Sequence, residues 1–159
     1  MALPEHLEAL TEIVLNNLQN QHDWTELNTQ LKPDLSRRLI SGLPPRRLYV
    51  HPDEQIEIIK AEKNRKEHIP QPPEVEWVLP THLAEKWSPK AFAAVFDAID
   101  TIPPGAAPLD ALGAEDDSSQ WMRWRGPQRG KRMLLAIVQD DSTVLYYLMH
   151  DGIVKPRQN

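Results

Sequence analysis

The chain has 159 residues, 40% hydrophobic and 26% charged, with a formal net charge of -5. This is the size of one ordinary globular domain with a real core, and the acidic balance excludes attraction to nucleic acid by the overall field, so any RNA contact must be local. Cysteine is absent, which excludes disulfides and thiolate metal sites; no apolar stretch nears the ~20 residues of a spanning helix and Met1 to Glu5 lacks a basic secretory start, so a soluble intracellular protein is expected.

Leu7, Leu10, Val14 and Leu18 recur at helical spacing behind Pro4, which suits a first turn, and predict an amphipathic helix over 5–20. Trp24 to Leu31 alternates Thr25, Leu27, Thr29 and Leu31 and reads as a strand. Leu39 to Leu43 and Arg47 to Val50 read as two short strands, or one interrupted around Gly42 to Pro45, with Pro44 and Pro45 at an edge or bend. Asp53 is placed to cap a charged helix from Glu54 to about Lys66, a surface helix or an insertion, which Pro70, Pro72 and Pro73 close off. Val75 to Leu79 is a short strand. Ser88 then caps a helix that starts at Pro89 and carries Phe92, Val95, Phe96 and Ile99 along one face, a stripe expected to serve the core. Residues 103–120, rich in Pro, Gly, Ala and acids, are expected to be a mobile loop inside a single domain spanning 1–159.

Met133 to Val138 has no polar residue on either parity, the pattern of a strand covered on both faces. Gln139 to Ser142 break the run with Asp140 and Asp141, in a loop of hairpin length where Asp tolerates left-handed backbone. The next strand offers Val144, Tyr146 and Leu148 on one face and Thr143, Leu145, Tyr147 and Met149 on the other. Such a strand is either central in its own sheet or an edge that a partner must cover, because a long apolar edge is a pairing template. Periodicity leaves both open.

Local basic clusters are Arg37, Arg38, Arg46 and Arg47, and then Arg123, Arg125, Arg129, Lys131 and Arg132, the latter interleaved with Trp121 and Trp124. Cations with aromatics can hold phosphates and stack bases, and equally can be solvated loops and sheet edges. The 6 histidines have no metal-ligand spacing, and the 6 glycines form neither a phosphate loop nor a nucleophile elbow, so no metal and no cofactor are expected.

The segment Leu134 to Pro156, an apolar strand, an acidic loop and a strand containing Tyr146 and Tyr147, resembles the C-terminal hairpin of the tRNA-splicing endonuclease family. Trp24 to Leu27, Arg38 to Leu48, and Val78 to Leu83 leading into a helix are similar to the smallest subunit of the eukaryotic, fungal-type enzyme. The resemblance covers most of the chain outside 103–120, with the terminal hairpin its most specific part. It implies a small α/β fold, a mixed sheet flanked by helices, of the tRNA-intron-endonuclease catalytic-domain-like (nuclease-like) type.

Catalytic members of that family cut RNA without metal, using a Tyr, a His and a Lys to drive attack of a 2′-hydroxyl on the adjacent phosphate. Lys131 matches the position of the Lys. The family's Tyr and His lie upstream of it, and between His82 and Tyr146 this chain contains neither residue type. Tyr146 and His150 are no substitute, since four residues of strand part their backbones by about 13 Å at about 3.3 Å per residue. The resemblance therefore implies a structural subunit with no catalytic residues. It also implies that Asp140 and Asp141 enter a basic groove of a catalytic subunit, expected to be the 3′-site cutter, while Val144, Leu145, Tyr146, Tyr147 and Leu148 form the interface strand. The assembly would have four subunits, would meet pre-tRNA as a complex, and would be nuclear or peripheral on the mitochondrial outer surface; the isolated chain could self-pair. The alternative is a homodimeric RNA-binding module using residues 121–132, with Arg123, Arg125, Lys131 and Arg132 as RNA contacts.

Overall fold

The structure is a computed structural model and describes residues 4–66, 68–105 and 129–151. A five-stranded sheet follows chain order through Thr25–Gln30 (β1), Leu39–Leu43 (β2), Glu76–His82 (β3), Arg132–Val138 (β4) and Val144–His150 (β5). Neighbours are antiparallel except β3 and β4, which are parallel. Among the described residues three helices accompany it: Glu5–Gln21 (α1), Pro52–Arg65 (α2) and Pro89–Ala98 (α3). The expected mixed α/β architecture with a helix-flanked sheet is what the chain forms.

Alternation along the strands divides the core into two layers. α1 buries Leu7, Leu10, Val14 and Leu18 against Ile40, Val78, Leu134, Ala136, Val138 and Val144. On the opposite face α3 sets Val95 and Phe96, with Ile99 just beyond its end, against Leu39, Trp77, Leu79 and Met133. Burying each such side chain stabilises the fold by about 1.5–3 kcal/mol. Ser88 caps α3 as expected, its hydroxyl accepting from the Ala91 amide at 3.1 Å, with Pro89 in the first turn.

Three local expectations are corrected. Arg47 to Val50 is not a strand; Arg47 turns inward to meet carboxylates, and that pull overrides a β-type sequence. α2 is capped by His51 rather than Asp53, the His51 Nδ1 accepting from the Asp53 amide at 3.0 Å. β3 does not stop at Leu79 but runs through Pro80 to His82. Pro80 is tolerated because pairing with β2 has ended at Val78, and the Pro80 carbonyl on that side accepts from Arg37 Nη1 at 2.9 Å instead. Of the loop expected over 103–120, everything from 106 onward lies outside the described residues.

Beside the sheet lies a buried ionic network. Arg47 pairs with Glu54 (2.5 Å) and Glu74 (3.4 Å), Arg132 with Glu74 and Glu76 (both 2.7 Å), and Arg129 with Glu76 (2.9 Å). None of these side chains is more than 6% exposed, so the opposed charges must balance one another inside the protein. Burial alone would push the Glu74 carboxyl up, but Arg132, Arg129 and Arg47 together hold it below the ordinary value. The network joins α2 and the chain around Glu74 to the first residues of β3 and β4, and the Arg132 guanidinium sits over Tyr49, whose ring meets His150 at the end of β5.

Candidate functional site

β4 and β5 form a regular hairpin, with Arg132 opposite His150 and Val138 opposite Val144. The Gln139 amide donates to the Thr143 carbonyl at 2.8 Å, and the Ser142 amide to the Gln139 carbonyl at 2.9 Å. Ser142 adopts φ 68°, the left-handed residue that a short hairpin loop of this kind requires. Asp141 is tied to the loop itself, accepting from the Thr143 amide at 3.0 Å, and hydrogen bonds from Thr143 lower its carboxyl below the ordinary value. Asp140 is 95% exposed at the tip.

β5 is the edge of the sheet among the described residues, which corrects the reading of it as a central strand. Because Gln139 pairs with Thr143 and Asp151 with Lys131 through hydrogen bonds, strict alternation turns the N–H and C=O groups of Val144, Tyr146 and Leu148 away from β4. Side chains divide differently. Val144, Tyr146 and Leu148 pack on the α1 side, where the Tyr146 hydroxyl donates to Asn17 Oδ1 at 2.6 Å and burial pushes its pKa up. Leu145 and Tyr147 project on the α3 side beyond the reach of that helix, and remain 40% and 55% exposed. The apolar edge thus offers its backbone through one set of residues and its exposed side chains through the other.

The basic residues nominated for RNA contact are placed as follows. Arg132 is a correction: at 3% exposure inside the ionic network it has no access to a phosphate, and its Nε and Nη2 donate to two glutamates on β3 and the chain before it. Lys131, at the family's lysine position, donates its Nζ to the Phe96 carbonyl near the end of α3 at 2.9 Å, meeting one of the acceptors that a helix end leaves over. Arg123, Arg125, Trp121 and Trp124 lie outside the described residues. Among the described residues no group of His, Asp and Glu is arranged to hold a metal, and no helix is long and apolar enough to cross a membrane.

Sequence reasoning missed His82. Its Nε2 stands 3.2 Å from Asp140 Oδ1, and its Nδ1 accepts from the Ala84 amide at 3.0 Å. No local signal links residues so far apart in the chain. The parallel register of His82 with Val138, which brings the end of β3 beside the start of the loop, is a tertiary fact.

Among the described residues this α/β sheet leaves one apolar edge open with carboxylates at the adjoining loop, and an open edge is a template on which another strand can pair. The Sen15 protein family model matches residues 13–159. The chain is 62% identical, over its whole length and 70% of the relative, to the probable tRNA-splicing endonuclease subunit tsp-1 of Neurospora crassa. It is 28% identical to tRNA-splicing endonuclease subunit SEN15 of Eremothecium gossypii over 96% of this chain and 93% of that one. A 33% match to the probable subunit sen15 of Schizosaccharomyces pombe covers 54% of the chain and 50% of the relative. The chain belongs to the Sen15 family of tRNA-splicing endonuclease subunits. The absence of Tyr and His between His82 and Tyr146 is consistent with a non-catalytic member.

Proposed function

We propose that this subunit acts by docking its C-terminal hairpin on a catalytic subunit of the splicing endonuclease, the one that cuts the 3′ splice site, within a four-subunit nuclear assembly that acts on pre-tRNA. The observation that carries the reading is the edge position of β5 with Leu145 and Tyr147 exposed beside the acidic loop. A strand of the partner would satisfy the outward backbone groups of Val144, Tyr146 and Leu148, apolar groups of the partner would cover Leu145 and Tyr147, and cations would receive Asp140 and Asp141. Backbone pairing gives affinity, and the charged loop fixes register. The self-pairing expected of the isolated chain uses the same edge and is a stand-in for this contact.

The test is co-purification of the chain with the catalytic subunits, wild type against an Asp140→Ala/Asp141→Ala/Tyr147→Ala variant. Tyr147 is chosen over Tyr146 because the Tyr146 side chain holds α1 and its removal would confuse folding with docking. Loss of the complex by a variant that still melts cooperatively supports docking through the hairpin; full retention places the interface elsewhere. The rival homodimeric RNA-binding module predicts salt-sensitive RNA binding by the chain alone, and it is weakened by the internal use of Arg132 and Lys131.

A further inference from the structure

We infer that His82 is a positioning residue for docking: it presents the Asp140 carboxylate to the partner before contact is made. This rests on the proposed role of the acidic loop and adds to it the end of β3, a region the hairpin reading does not include.

His82, the last residue of β3, is firmly held. The Glu85 carboxylate accepts from the His82 amide at 2.8 Å and from Arg37 Nη1 at 2.9 Å. Arg37 also donates to the Pro80 carbonyl, and its guanidinium lies 4.9 Å from the centre of the Trp87 ring, which is stacked on Phe92 of α3. Burial alone would raise the Glu85 carboxyl, but the bonds from Arg37 and the His82 amide reverse this and hold it below the ordinary range. The turn after β3 is therefore fixed by a chain of contacts running back to a helix, and the ring it carries inherits that order.

The tautomer of the ring follows from its surroundings. Because the Ala84 amide donates to Nδ1, that nitrogen is an acceptor, and the proton of the neutral imidazole sits on Nε2, the nitrogen that stands 3.2 Å from Asp140 Oδ1. Asp140 is 95% exposed while His82 is 30% exposed, so a well-ordered donor from the body of the protein faces a carboxylate that is otherwise in water. A contact this exposed adds little to stability. Its effect is on association, since a side chain already held in its bound direction loses less freedom when it docks.

Two substitutions separate the parts of this role. His82→Asn keeps an acceptor near the Ala84 amide but withdraws the group that reaches Asp140; His82→Gln keeps an N–H donor at comparable reach. The measurement is the affinity of the full chain for the catalytic subunit, with melting temperatures recorded in parallel, and with both substitutions repeated in an Asp140→Ala background. The expected result is a loss of about 3- to 10-fold for His82→Asn, as for one rotamer-rich group left to be ordered on binding, with His82→Gln within about twofold of wild type and no further loss from His82→Asn once Asp140 is gone. An unchanged affinity for His82→Asn overturns the inference while leaving hairpin docking intact. A loss that persists undiminished in the Asp140→Ala background also overturns it, because His82 would then act on the fold rather than on the carboxylate. If the Asp140→Ala/Asp141→Ala/Tyr147→Ala variant binds like wild type, the docking reading falls and this inference with it.

Discussion

Among the described residues the sheet has two edges, and they are built in opposite ways. β1 has the sequence Thr-Glu-Leu-Asn-Thr-Gln, is mostly exposed, and carries an irregularity between Thr25 and Asn28 with Glu26 at φ 53°. Polar side chains, a charge and a bulge are the means by which an edge is kept from pairing with other chains. β5 has the sequence Val-Leu-Tyr-Tyr-Leu-Met-His, keeps an unbroken register with β4, and exposes Leu145 and Tyr147. One chain therefore blocks one edge and leaves the other regular and apolar. General surface hydrophobicity would not produce that asymmetry, whereas selection for a partner at one edge would.

The largest expected effect concerns the anchor at the base of the open edge. Arg132→Ala removes the cation facing Glu74 and Glu76, leaves buried carboxylates underpaired, and should cost about 3–5 kcal/mol in urea unfolding. A loss below about 1 kcal/mol would mean that water relaxes the network and that β5 is not held rigid from this end.

Giving the open edge the character of the closed one is the most direct challenge to the comparison. Leu145→Lys/Tyr147→Lys should weaken binding to the catalytic subunit by about 2 kcal/mol or more, as for interface hot spots, and leave folding stability within about 0.5 kcal/mol per site because both side chains are substantially exposed. Undiminished binding would show that the apolar exposure of β5 has no bearing on assembly.

The closed edge has a packing test of its own. A Cβ on Gly42 would come within 2.6 Å of Leu27 Cδ2 and 3.1 Å of Trp24 Cε3, so Gly42→Ala should displace the Leu27 side chain and crowd Trp24, costing about 1 kcal/mol in thermal or denaturant unfolding. Partner affinity of the folded fraction should not change; a drop would show that the two edges are coupled.

The smallest effect is with pH. Burial lowers the His150 pKa from 6.5, and Arg132 reinforces the shift while Glu76 opposes it. Between 6.5 and the lowered folded value, the unfolded chain binds a proton that the folded chain resists, so stability falls as pH drops through that window. Glu74 and Glu85, lowered from 4.5, extend the loss to more acid pH with the same sign. His150→Gln should flatten only the upper part of the melting-temperature profile, and an unaltered profile would assign the upper window to another group.

Short-range features were legible in the chain. The period of α1, the Ser88-Pro89 start of α3, the doubly apolar run of β4 and the terminal hairpin all follow from side-chain spacing and local backbone preference, which neighbouring residues decide. The family was legible too, in the hairpin segment Leu134 to Pro156 and in the stretches that begin at Trp24, Arg38 and Val78. The failures share a cause. Arg47 and Arg132 looked like surface cations because nothing in their own segments announces Glu54, Glu74 and Glu76 as partners, and Pro80 looked like a strand end because its missing N–H matters only where a neighbouring strand continues. The sequence by itself determined most of the segments that become helices and strands, and the kind of subunit this is. Tertiary structure alone decided which strand is left at the open edge, which arginines are buried, and that His82 comes to face Asp140, because each depends on electrostatic and packing partners distant in the chain that meet only when the sheet is assembled.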